Sequence, residues 1–273
     1  MPFSLKRLEE TLAGCKNRRI AVVGDLMLDV YLCGSASRLS PEAPVPVVNV
    51  KKSFCKLGGA ANVMRNVMAL GGKVFAFGTL GNDAQGKTLR GLLDQDGVDS
   101  SSVLVDASRR TTEKQRLLAG NQQLVRMDFE ETAPVDRKIL DPMFEKLRSL
   151  VKSHAVEAVI IEDYGKGLLE QHFVQTIADE AKREGVFTTL DPHSGCPMTI
   201  KGLTLLKPNR SECFGLANAF CKDPVSPVQS DSALLAAAGK VFETWTPEQL
   251  LVTLGSQGLA LFEKSKETLV SIP

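Results

Sequence analysis

Short apolar runs alternate with helical patterns along most of the chain after about residue 19. The runs are nearly continuous in valine, leucine and isoleucine, which is typical of strands buried on both faces of a sheet. The predicted strands are 20–24, 74–77, 158–161, 186–190, 203–206 and 250–254. The predicted helices are 60–70, 85–96, 134–152, 170–184 and 232–244. This order predicts a three-layer α/β/α fold with a mostly parallel central sheet.

Two segments interrupt the alternation. Residues 29–54 have strand-like ends around three prolines, and residues 103–128 contain three short strand-like pieces joined by turns. Neither segment has room for a crossover helix, so we expect both to form a small antiparallel β lid beside the main sheet. The chain shows no repeat, linker or low-complexity tract. Residues 1–273 are therefore predicted to form a single domain with an inserted lid.

Composition excludes several classes of function. The formal net charge is +1 and aromatic residues make up 5% of the chain, so neither nucleic acid nor an anionic membrane is an expected partner. No apolar run approaches the ~18 residues of a membrane span. Leu5, Leu8 and Leu12 predict an amphipathic N-terminal helix rather than a signal peptide. The six cysteines form no C-x-x-C pair, so neither a zinc site nor disulfides are expected, and a reducing cytoplasm is predicted.

The stretch GNDAQGKT (81–88) fits the G-x-x-x-x-G-K-T pattern of a nucleotide-hydrolase phosphate loop. The acidic strand AVIIED (158–163) gives this interpretation some further support. Asp83, however, would face the phosphates in such a loop and repel them. The alternative is a turn that starts an amphipathic helix, and a phosphate-loop hydrolase is the remoter of the two interpretations.

Four other stretches combine glycines with polar residues, and each has a structural and a functional interpretation. LGGAANVMRNVMALGG (57–72) places two glycines before a helix, either as a tight turn or as free amides for a hydroxyl or an anion. IIEDYGKG (160–167) ends a buried strand with acids and glycines. Ligands of open α/β sheets gather at such strand ends.

The other two stretches lie later in the chain. In KPNRSE (207–212), Asn209 and Glu212 have the spacing of a helix capping box, but Glu212 also suits Mg²⁺, held through water, beside a polyphosphate. LVTLGSQGLALF (251–262) predicts either a plain hairpin or glycine amides along a nucleotide. No single stretch decides between its two interpretations.

Together these stretches resemble the ribokinase-like sugar kinases of the phosphofructokinase-B type over almost the whole chain. GDLMLDVY (24–31) resembles the family's first strand, LGGAAN its glycine-glycine signature, KPNRSE its Asn-x-x-Glu element and VTLGSQG its nucleotide-side element. In the same comparison, residues 77–98 resemble a G-x-D-x-x-G segment of this family.

Within that family the chain most closely resembles the D-glycero-D-manno-heptose 7-phosphate kinases. This resemblance rests on SRLSPEAPVPVV (37–48), GGAANV, NQQLVRMDFE (121–130) and DYGKG (163–167). It implies phosphorylation of the heptose phosphate at its anomeric hydroxyl, for synthesis of the ADP-heptose of lipopolysaccharide. Such kinases often form the first half of an enzyme whose second half is a nucleotidyltransferase. The lid of this family often also makes a homodimer contact.

The resemblance also implies the site residues. The sugar phosphate would be held by Asp29, Gly58, Gly59, Asn62, Arg126, Asp163 and Lys166, with Arg38 a weaker candidate. ATP would be held by Asp191, Asn209, Glu212, Thr253, Gly255 and Gly258, with Mg²⁺ at Glu212. His193 stands where the family more often has lysine or asparagine, and we expect it to be a solvated loop residue.

The family's Gly-Ala-Gly-Asp motif does not occur in the 273 residues. Its aspartate is the base and its amides bind the transferring phosphate, so no catalytic residue is assigned here. The resemblance implies that the motif follows Pro273 and that the domain is incomplete. Loss of a base lowers rates roughly 10²–10⁴-fold, and loss of an anion-hole donor another ~10²–10³-fold. The alternatives are therefore a truncated, non-catalytic sugar-phosphate-binding protein and a kinase for another sugar.

Overall fold

The computed structural model describes residues 4–263 and the backbone of residues 266–272. In this part of the chain, strands and helices alternate as predicted, and the strands form two sheets. The helices are α1 (Leu5–Cys15), α2 (Ala60–Ala69), α3 (Ala84–Gln95), α4 (Arg137–Lys152), α5 (Gln171–Glu184), α6 (Arg210–Leu216) and α7 (Ser232–Trp245). The strands are β1 (Arg19–Gly24), β2 (Leu26–Leu39), β3 (Pro46–Gly59), β4 (Lys73–Leu80), β5 (Asp99–Val105), β6 (Thr112–Ala119), β7 (Gln122–Phe129), β8 (Ala158–Glu162), β9 (Phe187–Asp191), β10 (Leu205–Leu206), β11 (Gln249–Thr253), β12 (Leu259–Glu263) and β13 (Lys266–Ile272).

The large sheet has the strand order β13-β12-β11-β10-β9-β8-β1-β4-β5. The strands from β11 to β5 pair in parallel, and β12 and β13 add an antiparallel edge. All six predicted strands lie in this sheet, which confirms the mostly parallel arrangement. The β11–β12 pair also confirms the predicted hairpin. Strand β10 is shorter than predicted, because its pairing with β9 and β11 is confined to Leu205 and Leu206.

Helices cover both faces of the large sheet. Successive side chains of a strand point to opposite faces, so a strand that is apolar throughout must be covered on both. On β1, Ala21 and Val23 enter a core shared with α4, α5, α6 and α7, whereas Val22 enters a second core shared with α2 and α3. All three side chains are at most 1% exposed. Burial of apolar surface, worth about 25 cal/mol per Å², thus holds three layers together. The predicted α/β/α architecture is confirmed.

The second, smaller sheet has the order β3-β2-β6-β7 and forms the predicted lid. The outer pairs, β2–β3 and β6–β7, are antiparallel, and the central β2–β6 pair is parallel. The lid is continuous with the main body, since only Asp25 separates β1 from β2, and β3 runs directly into α2. The base of the lid therefore lies at the carboxyl end of β1.

The lid boundaries differ from the prediction in one respect. Residues 103–105 belong to β5, which pairs in parallel with β4 at the edge of the large sheet and not with the lid. The reason is that α3 precedes β5 and supplies the crossover that a parallel strand requires. Val103 is buried in the core beneath that helix. The second lid segment therefore consists of β6 and β7.

The amino-terminal helix is present as predicted. Ser4 caps α1, its hydroxyl accepting a hydrogen bond from the Arg7 amide at 3.2 Å. The apolar stripe of this helix remains exposed, with Leu5 71% accessible. Within the described residues, no helix combines the length and the apolar character needed to cross a membrane.

Candidate active site

The carboxyl ends of five parallel strands line one edge of the large sheet. Because β1, β8, β9, β10 and β11 are neighbours in that order, the residues that follow them lie side by side. These residues include Asp25, Asp163, Pro192, Lys207 and Leu254. The base of the lid rises beside the first of them. Polar side chains from distant parts of the sequence are therefore brought to one cleft, as the topology of open α/β sheets predicts.

Asp29 lies on β2 at the base of the lid. Its Oδ1 accepts a hydrogen bond from Arg116 Nη1 at 2.7 Å, and both side chains are about one-fifth exposed. Gly58 stands beside the same carboxylate, since a Cβ at this position would lie 2.9 Å from Asp29 Oδ2. The glycine therefore leaves room for the carboxylate. Arg116 was missed in the sequence because it reaches Asp29 only through the β2–β6 pairing.

Gly59 and Asn62 begin the helix behind this carboxylate. Gly59 has a φ of +54°, and a Cβ there would meet the Asp25 carbonyl oxygen at 2.5 Å. The same oxygen accepts the Ala60 amide at 3.0 Å, which fixes the start of α2. Asn62 is exposed on the first turn. The predicted group of Asp29, Gly58, Gly59 and Asn62 is thus assembled at one place.

A chain of ion pairs continues across the base of the lid. Lys114 Nζ lies 3.0 Å from Asp128 and 3.3 Å from Glu130, and Lys166 Nζ lies 2.9 Å from Glu130. Arg126 also holds Asp128, at 2.9 Å. Burial raises the pKa values of Asp128 and Glu130, but hydrogen bonds from these cations outweigh it, so that both are lowered. Lys166 and Arg126 thus lie in one network.

Arg38, the weaker predicted phosphate ligand, is exposed far along β2, opposite Val47. It lies nine residues beyond Asp29, which corresponds to roughly 30 Å of extended strand. The structure therefore does not bring Arg38 to the base of the lid.

Asp25 is a central residue that the sequence analysis missed. It is 5% exposed, and its Oδ2 accepts the amides of Tyr164 and Lys166 at 2.9 and 3.1 Å. Burial raises its pKa to about 6. Arg109, Arg110 and Lys166 line a small polar cavity beside it. Its position directly after a buried parallel strand is the signal that could have identified it.

The nucleotide-side residues predicted from the sequence also come together. The Asn209 side chain accepts the Glu212 amide at 2.9 Å, and the Glu212 carboxylate accepts the Asn209 amide at 2.7 Å. The capping box is therefore real. The backbone of Asn209 bridges that of Thr253. Gly255 and Gly258, with φ of +60° and +79°, form the turn that follows.

Three carboxyl groups cluster at this end of the cleft. Burial, followed by the charge of Asp191, raises the pKa of Glu162 to about 8. Burial also raises the pKa values of Asp191 and Glu212. Lys207 pairs with Asp191 and opposes the rise in all three groups. The cluster thus holds one buried and two partly buried carboxyl groups, which a further cation would stabilise in their charged form.

Asp163 and His193 meet between the two ends of the cleft. Asp163 is 6% exposed, and its Oδ2 lies 3.1 Å from His193 Nδ1. The His193 ring also lies against Gly165, where a Cβ would be 2.9 Å from Nε2. The histidine expected to be solvated is therefore only partly exposed, at 28% of its side chain, and contacts Asp163. The backbone also holds the two loops together, because the Asp163 amide donates to the carbonyl of Asp191, two residues before His193, at 3.0 Å.

The GNDAQGKT turn is not a phosphate loop. Asp83 caps α3, its Oδ1 accepting the Gly86 amide at 2.7 Å and its Oδ2 the Thr111 amide at 2.8 Å. The Gly86 amide of the loop is therefore directed at a carboxylate of the chain itself, and the Gly81 amide at the Thr111 hydroxyl, so neither is free for a phosphate. Lys87 and Thr88 are exposed on the helix. The hydrolase alternative is contradicted by this geometry.

Solved structures with this fold define the class of the protein. The chain superposes on Arabidopsis thaliana ribokinase complexed with ribose and ATP with a TM-score of 0.67 and 21% identity, covering 94% of this chain and 78% of that one. It superposes on phosphofructokinase-2 from Escherichia coli in complex with substrates and products with a TM-score of 0.70 and 19% identity, covering 93% and 78%. At such identities the likeness establishes a ribokinase-like fold.

Sequence comparison is more specific. Residues 17–273 match the profile described as pfkB family carbohydrate kinase. The chain is 38% identical over 249 residues to the Bifunctional protein HldE of Desulfatibacillum aliphaticivorans, covering 91% of this chain and 49% of that protein. It is 38% identical over 252 residues to the Bifunctional protein HldE of Helicobacter hepaticus, covering 92% and 50%. The chain belongs to the pfkB family of carbohydrate kinases, and it spans about half the length of these curated relatives. Members of the family are ATP-dependent phosphotransferases that act on an alcohol group.

Proposed function

We propose that this chain is the kinase portion of an enzyme that transfers a phosphoryl group from ATP to D-glycero-D-manno-heptose 7-phosphate, at the anomeric hydroxyl, for the ADP-heptose of lipopolysaccharide. One observation carries the proposal. The sugar-side residues at the base of the lid and the nucleotide-side residues near Asn209 lie along the same edge of one parallel sheet. The two substrates would therefore meet at the carboxyl ends of β8 and β9.

Asp29 would hold the sugar hydroxyls. A carboxylate accepts two such hydrogen bonds, and Arg116 fixes its orientation from the side. Gly58 leaves the carboxylate uncovered, while Gly59 and Asn62 present the start of α2 to the same space. Two-sided polar contact of this kind suits a polyol, because each hydroxyl both donates and accepts.

The phosphate of the sugar would bind among the basic residues at the base of the lid. Lys166, Arg109 and Arg110 line one polar cavity, and Arg126 lies on β7 of the lid, in the same ion-pair network as Lys166. Asp163 would position the turn that carries Lys166, since its carboxylate accepts the Gly165 amide at 2.9 Å. Closure of the lid over the sugar would exclude water and suppress ATP hydrolysis.

ATP would lie along the other end of the cleft, over Thr253, Gly255 and Gly258. The carboxyl groups of Glu162, Asp191 and Glu212 fit a divalent cation, because carboxylate oxygens are the ligands that Mg²⁺ prefers and because burial raises the pKa of all three groups more than Lys207 lowers it. We propose that Glu212 holds Mg²⁺ through water. When bound, the ion neutralises charge on the transferring phosphate. We assign no residue of the chain the role of general base.

We also propose how the chain is organised and where it acts. Residues 1–273 would belong to one sugar-kinase domain, with a nucleotidyltransferase as a linked or separate partner. Leu39, Val45, Val50 and Val125 are apolar residues exposed on the lid, which suits a homodimer formed through this sheet. The activity belongs in the cytoplasm, where ATP is available and free thiols stay reduced.

The test is to measure two properties of the 273-residue chain separately. Calorimetry would measure binding of heptose 7-phosphate, and a coupled assay would measure ADP release with MgATP. Ribose and fructose 6-phosphate serve as competing sugars. Asp29→Asn should weaken heptose phosphate binding, whereas the matched control Asp223→Asn, on an exposed loop, should not.

The outcomes separate the alternatives. Binding with ADP release specific to heptose 7-phosphate supports the proposed kinase. Binding without ADP release indicates a sugar-phosphate-binding protein instead. Release of ADP with another sugar indicates a different sugar kinase. Equal binding by wild type and Asp29→Asn would contradict the proposed sugar site.

A further inference from the structure

Three potential metal ligands converge where the loops after β8 and β9 meet. A carboxylate oxygen of Asp163, a ring nitrogen of His193 and the sulfur of Cys196 lie within 4.8 Å of one another. Asp163 directly follows β8, and His193 follows β9 after one proline. The backbone bond from the Asp163 amide to the Asp191 carbonyl, 3.0 Å, holds the two loops in register. The ligand atoms are thus supplied by a rigid part of the sheet edge.

Two of these ligand atoms are buried without a hydrogen-bond partner. Asp163 is 6% exposed; its Oδ1 accepts the Gly165 amide, but its Oδ2 makes no hydrogen bond. The Nδ1 atom of His193 is also buried and makes no hydrogen bond, although the side chain as a whole is 28% exposed. The two atoms face each other at 3.1 Å, at angles that make no hydrogen bond. Since buried polar atoms in native proteins are normally satisfied, this pair indicates a site for a ligand that binds both.

The local backbone brings the third ligand into place. The Cys196 amide donates to the His193 carbonyl at 3.1 Å, which closes a tight turn. Gly195 takes a φ of +84° within that turn, a conformation that favours glycine. His193 and Cys196 are thus separated by two residues, the same short separation that Cys-x-x-Cys pairs have in structural zinc sites.

The distances and ligand types select the kind of metal. With bonds of about 2.0–2.1 Å to nitrogen and oxygen, the ligand atoms of a tetrahedral zinc ion lie roughly 3.3 Å apart, close to the 3.1 Å between Asp163 and His193. Thiolate and imidazole suit zinc, whereas Mg²⁺ prefers oxygen ligands alone. We propose that Asp163, His193 and Cys196 form a binding site for Zn²⁺ or a divalent cation with similar ligand preferences, such as Co²⁺. The three side chains would occupy three positions of a tetrahedral ion and leave the fourth open. This site is distinct from the proposed Mg²⁺ position at Glu212.

The proposal is tested by titrating the metal-stripped chain with Co²⁺, whose thiolate charge-transfer band reports a cobalt–cysteine bond, and by displacing it with Zn²⁺. One equivalent should bind with that band. Loss of an outer partner of a ligand alone lowers metal affinity about 10- to 100-fold. Cys196→Ala and His193→Ala remove a ligand itself, so each should lower the Co²⁺ affinity by at least about 10- to 100-fold. Cys196→Ala should also abolish the charge-transfer band. Cys221→Ala and His172→Ala are the matched controls and should bind like wild type.

A second measurement covers the case in which a variant folds poorly. Zn²⁺ should raise the melting temperature of wild type and of Cys221→Ala, and it should leave that of Cys196→Ala unchanged. Equal Co²⁺ spectra in wild type and Cys196→Ala would overturn the proposal, as would binding below one equivalent with no thermal shift. None of these readouts depends on kinase activity, so failure here is distinguishable from failure of the proposed function.

Discussion

Two regions of the cleft carry several charges, but they balance them differently. At the base of the lid Asp29, Asp128 and Glu130 each hold a cation at short distance. Asp29 pairs with Arg116 at 2.7 Å, and Glu130 pairs with Lys166 at 2.9 Å. Burial raises the pKa of Glu130, but its contacts with Lys166 and Lys114 outweigh burial, so that the pKa is lowered. The lid base is therefore charge-paired in the free protein.

The strand ends on the nucleotide side show the opposite pattern. Burial is the largest cause of the raised pKa in Glu162, Asp191 and Glu212, and it is only partly offset by Lys207. Asp25, nearer the lid, is raised to about 6 for the same main reason. In each of these carboxyl groups burial makes the charged form more costly, and a cation bound nearby would lower that cost.

The difference indicates how each region would recognise its ligand. Paired charges hold their side chains in one orientation, which suits hydrogen bonding to a neutral polyol. Unbalanced buried carboxyl groups instead gain from a cation that accompanies the ligand, as a metal–nucleotide complex would supply. The two ends of one cleft would thus select a sugar and a nucleotide by different physical means.

The largest expected effect is on the pH dependence of stability, and it concerns Glu162 at the nucleotide-side strand ends. The pKa of Glu162 is raised from 4.5 to about 8 in the fold, so the folded state binds a proton that the unfolded state releases. Its stabilising contribution is complete below pH 4.5 and is lost as pH rises to about 8, at about 1.4 kcal/mol per pH unit, or roughly 5 kcal/mol in all. Glu162→Gln should remove this loss.

Urea unfolding at several pH values between 4.5 and 8 would measure this pH-dependent loss of stability. The free energy of unfolding of Glu162→Gln should exceed that of wild type increasingly as pH rises. Glu248→Gln, on an exposed glutamate, is the control and should run parallel to wild type. If the Glu162→Gln curve also runs parallel, the carboxyl group is not buried in its neutral form.

The next prediction compares Gly24, beside Glu162, with Gly58, beside Asp29. A Cβ at Gly24 would lie 2.3 Å from the Glu162 carbonyl oxygen, which is backbone and cannot move aside, whereas a Cβ at Gly58 would meet the Asp29 carboxylate at 2.9 Å, a side chain that can shift at the cost of its pairing with Arg116. Gly24→Ala should therefore destabilise the fold by about 3 kcal/mol. Gly58→Ala should have a smaller effect on stability.

The sugar site should respond in the opposite order. Displacing Asp29 removes charge-assisted hydrogen bonds worth about 1.5–3 kcal/mol, so Gly58→Ala should weaken heptose 7-phosphate binding roughly 10- to 100-fold. Thermal melts and calorimetry on both variants give the two quantities. Undiminished sugar binding in a well-folded Gly58→Ala would show that Asp29 is not the sugar ligand.

A smaller effect separates the two roles of Glu212. Glutamine retains an acceptor for the Asn209 amide, so Glu212→Gln should preserve the capping box and change the unfolding free energy by less than about 0.5 kcal/mol. Alanine removes the box, at about 1 kcal/mol. Both variants remove the carboxylate, so both should weaken the Mg²⁺ dependence of ADP binding. If only Glu212→Ala weakens it, Glu212 acts through the helix cap and not through the metal.

The sequence predicted the buried strands well and the edge strand poorly, for a physical reason. Strands such as β8 are covered on both faces and read as continuous apolar runs. Strand β5, DSSSVLV, lies at the sheet edge with most of its residues at least partly exposed, so its polar pattern resembled the lid. Edge position depends on the packing of the whole sheet and leaves little trace in seven residues.

The same distinction holds for the site. Asp29 and Gly58 belong to short motifs and could be recognised from the sequence. Arg116 lies 87 residues from Asp29 in the chain and meets it only because β2 and β6 pair in parallel. His193 was misjudged because its burial depends on Asp163, thirty residues earlier, and on Gly165 beneath its ring. Contacts between distant loops carry no local pattern.

Asp83 adds a third kind of carboxylate to the comparison, one satisfied by backbone amides. Burial raises its pKa, but hydrogen bonds from Thr111 and Gly86 outweigh it, so that its pKa is lowered. Lys87, at the motif position of a phosphate-binding lysine, is exposed. Lys87→Ala should therefore change stability by less than about 0.5 kcal/mol and leave ADP affinity unchanged. Asp83→Ala, which leaves the same amides without their acceptor, should destabilise α3 by about 1–2 kcal/mol. Calorimetric ADP titration of Lys87→Ala decides the matter, since a large loss of affinity would restore the phosphate-loop interpretation that the Asp83 contacts contradict.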